Sequence, residues 1–371
     1  MKNFNPAGLL VQVFRALGAA ILISTSAFSQ TLEPGFLKPE YIEALKMAHA
    51  VSDTPFVNKR MVPEDFKLAY RSPVTGLDNR WDLWLSKDKV AAISIRGTTP
   101  KQTSWLENFY AAMIPAKGTI YLDNNTPVKY VLSDNPRAAV HAGWTLASAF
   151  LMQTILPKID SCYKTGVRDF IITGHSQGGA ISFLITSWVR HLQHKGELPL
   201  DIRFKTYASA APKPGNLYYA YDYENLTRNG YAFNVVNSAD WVPETPLAVQ
   251  TTDDFNTLNP FRDALKTINK QKFPARTAMK HAYRKLKKHP AKAVKNYRKY
   301  LGNLAGKMAG NVYPELKLPE FSNTSNYVRT GNTVVLYADE NYYQVFPDSG
   351  DNIFKHHTTA AYIFLLEKLR D

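Results

Sequence analysis

Residues 169–186 constrain this chain more than any other stretch. Asp169-Phe170-Ile171-Ile172-Thr173 is an apolar, β-branched run that reads as a buried strand, and Ala180-Ile181-Ser182-Phe183-Leu184-Ile185-Thr186 reads as the start of a helix. Between them lies Gly174-His175-Ser176-Gln177-Gly178, with Gly179 behind it. A strand that passes into a helix through G-x-S-x-G must make a tight, strained turn. The glycines remove side chains that would clash there, the serine hydroxyl is left exposed, and the N–H of the next residue, Gln177, can meet a developing oxyanion. A glycine-rich turn that merely closes a β-α unit has the same spacing, so a nucleophile has to be argued from partners elsewhere.

A serine hydroxyl is a weak nucleophile near neutral pH; it needs a histidine base, and the base needs a carboxylate to hold its tautomer. Where the serine follows a strand in this way, the carboxylate and then the histidine come later in the chain. Phe233-Asn234-Val235-Val236-Asn237 reads as a buried strand running into Ser238-Ala239-Asp240-Trp241-Val242-Pro243. That puts Asp240 just past a strand end, where α/β sheets carry their functional loops. His281 and His289 sit inside a lysine-rich segment, whereas His356 and His357 open the final apolar helix, expected over Thr358–Leu369. The base is one of that pair.

Four ordered segments resemble the fungal-type, or class 3, lipase family. Ser94-Ile95-Arg96-Gly97-Thr98-Thr99 is similar to a strand ending in R-G-[ST], and Val140-His141-Ala142-Gly143-Trp144 to V-H-x-G-[FY]. Gly174–Gly178 is similar to the G-H-S-x-G turn, and Val236–Pro243 to V-N-x-x-D-x-V-P. The family often ends on a histidine followed five residues later by tyrosine, a pattern met by His357 with Tyr362 and not by His356. The resemblance implies an α/β-hydrolase fold, with a mostly parallel central sheet flanked by helices. It also implies catalytic Ser176, Asp240 and His357, with an oxyanion hole at Thr98 and Gln177 to which the Thr98 hydroxyl adds a donor. It spans roughly residues 66–247 and resumes near Tyr327.

The rest of the chain fits one large domain at 30–371. The N-terminus has a basic start (Lys2, Arg15), an apolar run over 16–28 and small residues Ala27 and Ser29 ahead of Gln30. It reads as a signal peptide over 1–29, implying a secreted or periplasmic protein, with no cysteine at the cut for a lipid anchor. Cys162 is the single cysteine, and no C-x-x-C or H-E-x-x-H occurs, so neither a disulfide, a metal nor a cofactor is expected. Helices are expected at Tyr41–Val51, Gln102–Ile114 and Gly143–Tyr163, with Lys213–Asn216 opening another. Strands are expected at Arg80–Trp84, Lys89–Arg96, Val128–Leu132 and Ile202–Ala208, and a late hairpin at Thr333–Tyr337 with Tyr342–Val345. The helix at 102–114 has two readings: a core helix, or a lid of the kind that follows the oxyanion strand in similar lipases.

Residues 262–307 hold fifteen Lys or Arg against one acid, Asp263, and the formal charge of the whole chain is +14. The remainder of the chain is therefore electrically balanced. Asp240 and His357 stand 117 positions apart, wider than the resemblance leads one to expect, so a basic insertion at about 258–312 is inferred. Met279, Tyr283, Leu286, Val294, Tyr297, Leu301, Leu304 and Met308 recur at helical steps, interrupted by Pro290. The pattern predicts two amphipathic helices with a cationic face, suited to an anionic membrane surface and equally to an acidic polysaccharide or another protein, or else a solvated hairpin whose apolar stripe packs on the domain. No nucleic-acid module is recognisable. The reading is a serine carboxylic-ester hydrolase, lipase- or phospholipase-like, with a lipid ester as substrate. A surface-binding protein on a vestigial hydrolase scaffold and a serine acyltransferase are the alternatives.

Overall fold

The structure is a computed structural model that describes residues 32–52 and 61–369. Residues 34–371 form one unit and residues 1–33 another; the expected signal peptide lies outside the described residues. The larger unit is built on a seven-stranded sheet. Its strands are β1 (Phe66–Arg71), β2 (Trp81–Ser86), β3 (Val90–Ile95), β4 (Asp169–His175), β5 (Arg203–Ser209), β6 (Ala232–Asn237) and β7 (Asn332–Leu336), adjacent in chain order. The β1–β2–β3 meander is antiparallel. From β3 to β7 every neighbour is parallel. The strands β3 and β6 are buried at every position, as parallel strands covered on both faces should be, whereas the edge strand β1 exposes most of its residues and the edge strand β7 buries only Leu336.

The longer helices that accompany the sheet are α1 (Lys38–Ala50), α2 (Gln102–Phe109), α3 (Ala142–Lys164), α4 (Gln177–His194), α5 (Leu217–Leu226), α6 (Ala275–Arg298), α7 (Ala305–Val312) and α8 (Thr359–Lys368). Strand alternation sorts them onto two faces. On β5, Thr206 meets Thr186 of α4 at 2.7 Å, while the next residue, Tyr207, donates to Glu40 of α1 at 2.6 Å and packs on the Tyr41 ring. α3 lies against α4, and α8 against α1. A mostly parallel sheet, helices on both faces and a serine turn between β4 and α4 make this an α/β-hydrolase fold.

Three expectations need correction. The helix from Gln102 stops at Phe109, and Met113 lies instead in a short strand, Met113–Pro115, paired with Ala139–His141. No late hairpin forms: Thr333–Tyr337 supplies β7, a parallel partner of β6, but Glu340–Val345 is a helix, because the Asp339 side chain caps the Tyr342 N–H at 2.8 Å. Pro290 does not divide the basic segment, since α6 runs through it to Arg298 and passes by a π-turn at Lys299–Leu304 into α7.

Candidate active site

The turn after β4 is as tight as its glycines suggest. Ser176 takes φ 63° and ψ −130°, a backbone strain that a non-glycine residue carries only where the surroundings impose it. A Cβ on Gly174 would lie 2.3 Å from the Gly178 carbonyl carbon, and one on Gly178 would lie 2.3 Å from the Ile95 oxygen at the end of β3. Neither contact is tolerable, so β3, β4 and α4 approach this closely only with glycine at both sites. Ser176 is the N-cap of α4 without a capping hydrogen bond from its side chain. Its hydroxyl is therefore not spent on the helix, and the first N–H groups of α4, beginning with Gln177, have no intrahelical acceptor.

Asp240 stands just beyond β6, fully buried. Its Oδ2 is 2.7 Å from His357 Nδ1 and 2.9 Å from the Tyr362 hydroxyl, and its Oδ1 accepts the Val242 N–H at 3.0 Å. Burial pushes this carboxyl up, but His357 and the other donors outweigh it and hold it below its ordinary value. The Tyr362 hydroxyl in turn accepts the Asn237 N–H at 3.1 Å, so a residue one turn into α8 fixes both β6 and the aspartate. With Nδ1–H donated to Asp240, the other nitrogen of His357, Nε2, is buried and makes no hydrogen bond. His356 is turned elsewhere, with Nδ1 at 2.8 Å from the Tyr342 hydroxyl and Nε2 at 2.8 Å from Asp348.

His175, next to the serine, ties the two halves together. Its Nε2–H donates to the His357 carbonyl at 2.7 Å, and its ring lies 4.7 Å from the His357 ring. Because that nitrogen donates, Nδ1 accepts, taking the Ser209 hydroxyl at 3.0 Å, and Ser209 accepts from Tyr41 of α1 at 2.6 Å. Complete burial lowers the His175 pKa to about 3, so the ring is neutral and acts as a spacer.

Thr98 and Gln177 meet on the far side of the serine. The Thr98 hydroxyl donates to Gln177 Oε1 at 2.8 Å and accepts from Asn108 Nδ2 at 2.9 Å. Its proton is therefore committed to Gln177 and does not stand free as the extra donor the resemblance implies. Gln177 Nε2 donates to Glu107, whose other oxygen accepts from Asn79 at 2.6 Å. Asn108 also takes Trp144 Nε1 on its Oδ1 at 3.0 Å, and its carbonyl accepts from His141 Nε2 at 3.1 Å. Sequence reasoning missed Glu107, Asn108 and Asn79: an acid and an amide in a short helix carry no local signal, and only the approach of α2 to α4 brings them to Gln177. Of the two readings of that helix, the inner face is a core element, with Ser104, Leu106 and Glu107 buried.

Its outer face joins an aromatic rim. The Trp105 ring is 6.4 Å from Phe354, Phe354 is 5.4 Å from Trp241 and 6.0 Å from His357, and Trp241 donates to the Ile353 carbonyl at 2.8 Å. Trp105, Phe109 and Trp241 are exposed, so apolar surface borders the histidine.

Comparison with known proteins places residues 92–250 in a match to the class 3 lipase family. Among solved structures, the chain is similar to the lipase–propeptide complex of Rhizomucor miehei, at 18% identity over 58% of this chain and 65% of that one, with a TM-score of 0.40. It thus spans just under two thirds of that chain's length. It is also similar to the Lip2 lipase of Yarrowia lipolytica, at 17% identity over 58% and 77% with a TM-score of 0.44. The lipase of Rhizopus microsporus var. chinensis aligns at 23% over 57% and 69% with a TM-score of 0.39. A search of curated proteins finds no match.

Proposed function

We propose that this chain, whose residues 92–250 match the class 3 lipase family, is an exported serine hydrolase that cleaves carboxylic esters of lipids through an acyl-enzyme. The observation that carries this reading is the buried, unbonded Nε2 of His357, opposite a Nδ1 that Asp240 holds protonated. A neutral imidazole so oriented is a general base. Ser176 Oγ gives its proton to Nε2 as it bonds to the ester carbonyl carbon. The carbonyl oxygen takes the negative charge facing the Thr98 and Gln177 N–H groups, and collapse returns the proton to the leaving alcohol. A water, deprotonated by the same nitrogen, then releases the acid. Each oxyanion donor of this kind contributes about 3–4 kcal/mol to the transition state. The rim of Trp105, Phe354 and Trp241 favours an ester with an acyl chain over a small polar one. Export rests on the basic and apolar order of residues 1–29.

The test is turnover of p-nitrophenyl esters of graded chain length. Ser176→Ala, Asp240→Ala and His357→Ala should each lower kcat/KM by at least about a thousandfold in a folded protein, and because the three act as a unit the double variant should be little worse than a single one. His356→Ala should keep most of the activity. Full activity in Ser176→Ala would end the serine-hydrolase reading.

A further inference from the structure

The basic segment is a projecting arm. Val294 and Tyr297 are buried, and the Tyr297 hydroxyl donates to the Leu247 carbonyl, a few residues past Asp240. Beyond them the Leu301 carbonyl accepts the Ala112 N–H at 2.8 Å. This end of α6 and the turn after it are thus seated on the segments that leave α2 and the Asp240 loop. Beyond Pro290 the stripe resumes toward the N-terminus at Leu286, Tyr283 and Met279, three and four residues apart, and there it is uncovered. Leu286 is 74% exposed and Met279 45%, and Phe261 and Phe273, on the segment leading into α6, stand 65% and 78% exposed. Tyr283 alone is tied down, its hydroxyl donating to the carbonyls of Phe261 and Arg262 at 3.0 Å.

Around this unpartnered stripe α6 carries nine Lys or Arg and no acid. Among the described residues Lys287 reaches an acid, Asp253 at 3.8 Å, while Arg284, Lys285, Lys288 and Lys292 are exposed and form no ion pair. A helix with this much charge and no counter-charge of its own repels itself unless something anionic lies against it, and an exposed apolar stripe within the charge distinguishes a lipid surface from a soluble polyanion. We propose that the α6 arm docks the protein on an anionic phospholipid bilayer, with Met279, Leu286, Phe261 and Phe273 entering the interface and the lysines and arginines meeting the headgroups. The docking is independent of the ester chemistry proposed above, and its test uses a catalytically silent background so that either can fail without the other.

Full-length Ser176→Ala protein is sedimented with phosphatidylcholine vesicles, with and without phosphatidylglycerol. Adsorption should require the anionic lipid and fall with added salt as the Debye length shrinks. Reversing Arg284, Lys285, Lys288 and Lys292 to glutamate should weaken it by roughly fivefold per residue, several hundredfold in all. Leu286→Ser together with Phe273→Ser should weaken it further while leaving the charge unchanged. In the Ser176 parent, the four reversals should leave hydrolysis of a soluble short-chain ester unaltered, which also shows that the variant folds. Equal adsorption to both vesicle types, or no effect of the reversals, overturns the proposal. So does a polar replacement of Leu286 and Phe273 that changes nothing, since a site that answers only to charge is a polyanion site.

Discussion

At the scale of single residues, the most consequential group beside the serine is Glu107. Complete burial pushes its carboxyl from 4.5 up to about 8, with Asp78 adding to the rise against hydrogen bonds from Asn79 and Gln177. Asp78 is itself paired with Arg96 at 3.3 Å and Lys101 at 2.8 Å, and Tyr313 also feels the Glu107 charge. With both oxygens accepting, the observed arrangement is that of the carboxylate. The neutral acid keeps the bond from Asn79 but turns its other oxygen into a donor, which the Gln177 amide satisfies by rotating half a turn. The folded pKa lies above the unfolded one, so the stabilising contribution is complete below about pH 4.5 and is lost as pH rises through about 8. Between about pH 4.5 and about pH 8 the wild type should lose thermal stability. Glu107→Gln, whose amide donates and accepts as the neutral acid does, should lose less. Matching pH profiles of melting temperature for the two proteins would refute this account.

At the scale of elements, the site depends on how closely helices approach. α3 begins at Ala142, and a Cβ on Gly143 would lie 2.1 Å from the Glu107 carbonyl oxygen of α2. The contact is backbone, so it cannot be relieved by turning a side chain. Gly143→Ala should force α2 and α3 apart, destabilise the protein by about 1–3 kcal/mol as overpacking does, and reduce ester turnover because Glu107 and Asn108 ride on α2. Urea unfolding with a midpoint equal to the wild type's would contradict it. Pro290 teaches the opposite lesson. It takes one N–H out of α6 and leaves the Leu286 carbonyl unbonded, yet Leu286 is exposed and water can serve that oxygen. A proline that would break a buried helix is tolerated on a solvated arm.

At the scale of the whole molecule, the charge is divided unevenly between a balanced body and a cationic segment that lies in sequence between Asp240 and His357. Residues 1–29 carry the basic and apolar order of a signal peptide, and the mature protein from its host should begin at Gln30. N-terminal sequencing that returned Met1 would overturn the export reading.

Most of the strands from β2 to β6, the tight serine turn, an aspartate at a strand end at Asp240 and the cationic character of residues 262–307 are legible in the sequence. In each case the signal is local: apolar runs, glycines where two backbones must touch, a carboxylate at a strand end, a run of like charges. Tertiary structure decided what depends on residues remote in sequence. The resemblance points to His357 over His356 through Tyr362, but the physical link is tertiary: the Tyr362 hydroxyl reaches back to both Asp240 and the Asn237 N–H while His357 Nδ1 meets Asp240. Tyr342, whose segment reads as a strand, lies in a helix because Asp339 caps it. Glu107 and Asn108 belong to the site only because Gly143 lets α3 press against α2, and an isolated acid or amide carries no period or motif that would announce such a contact.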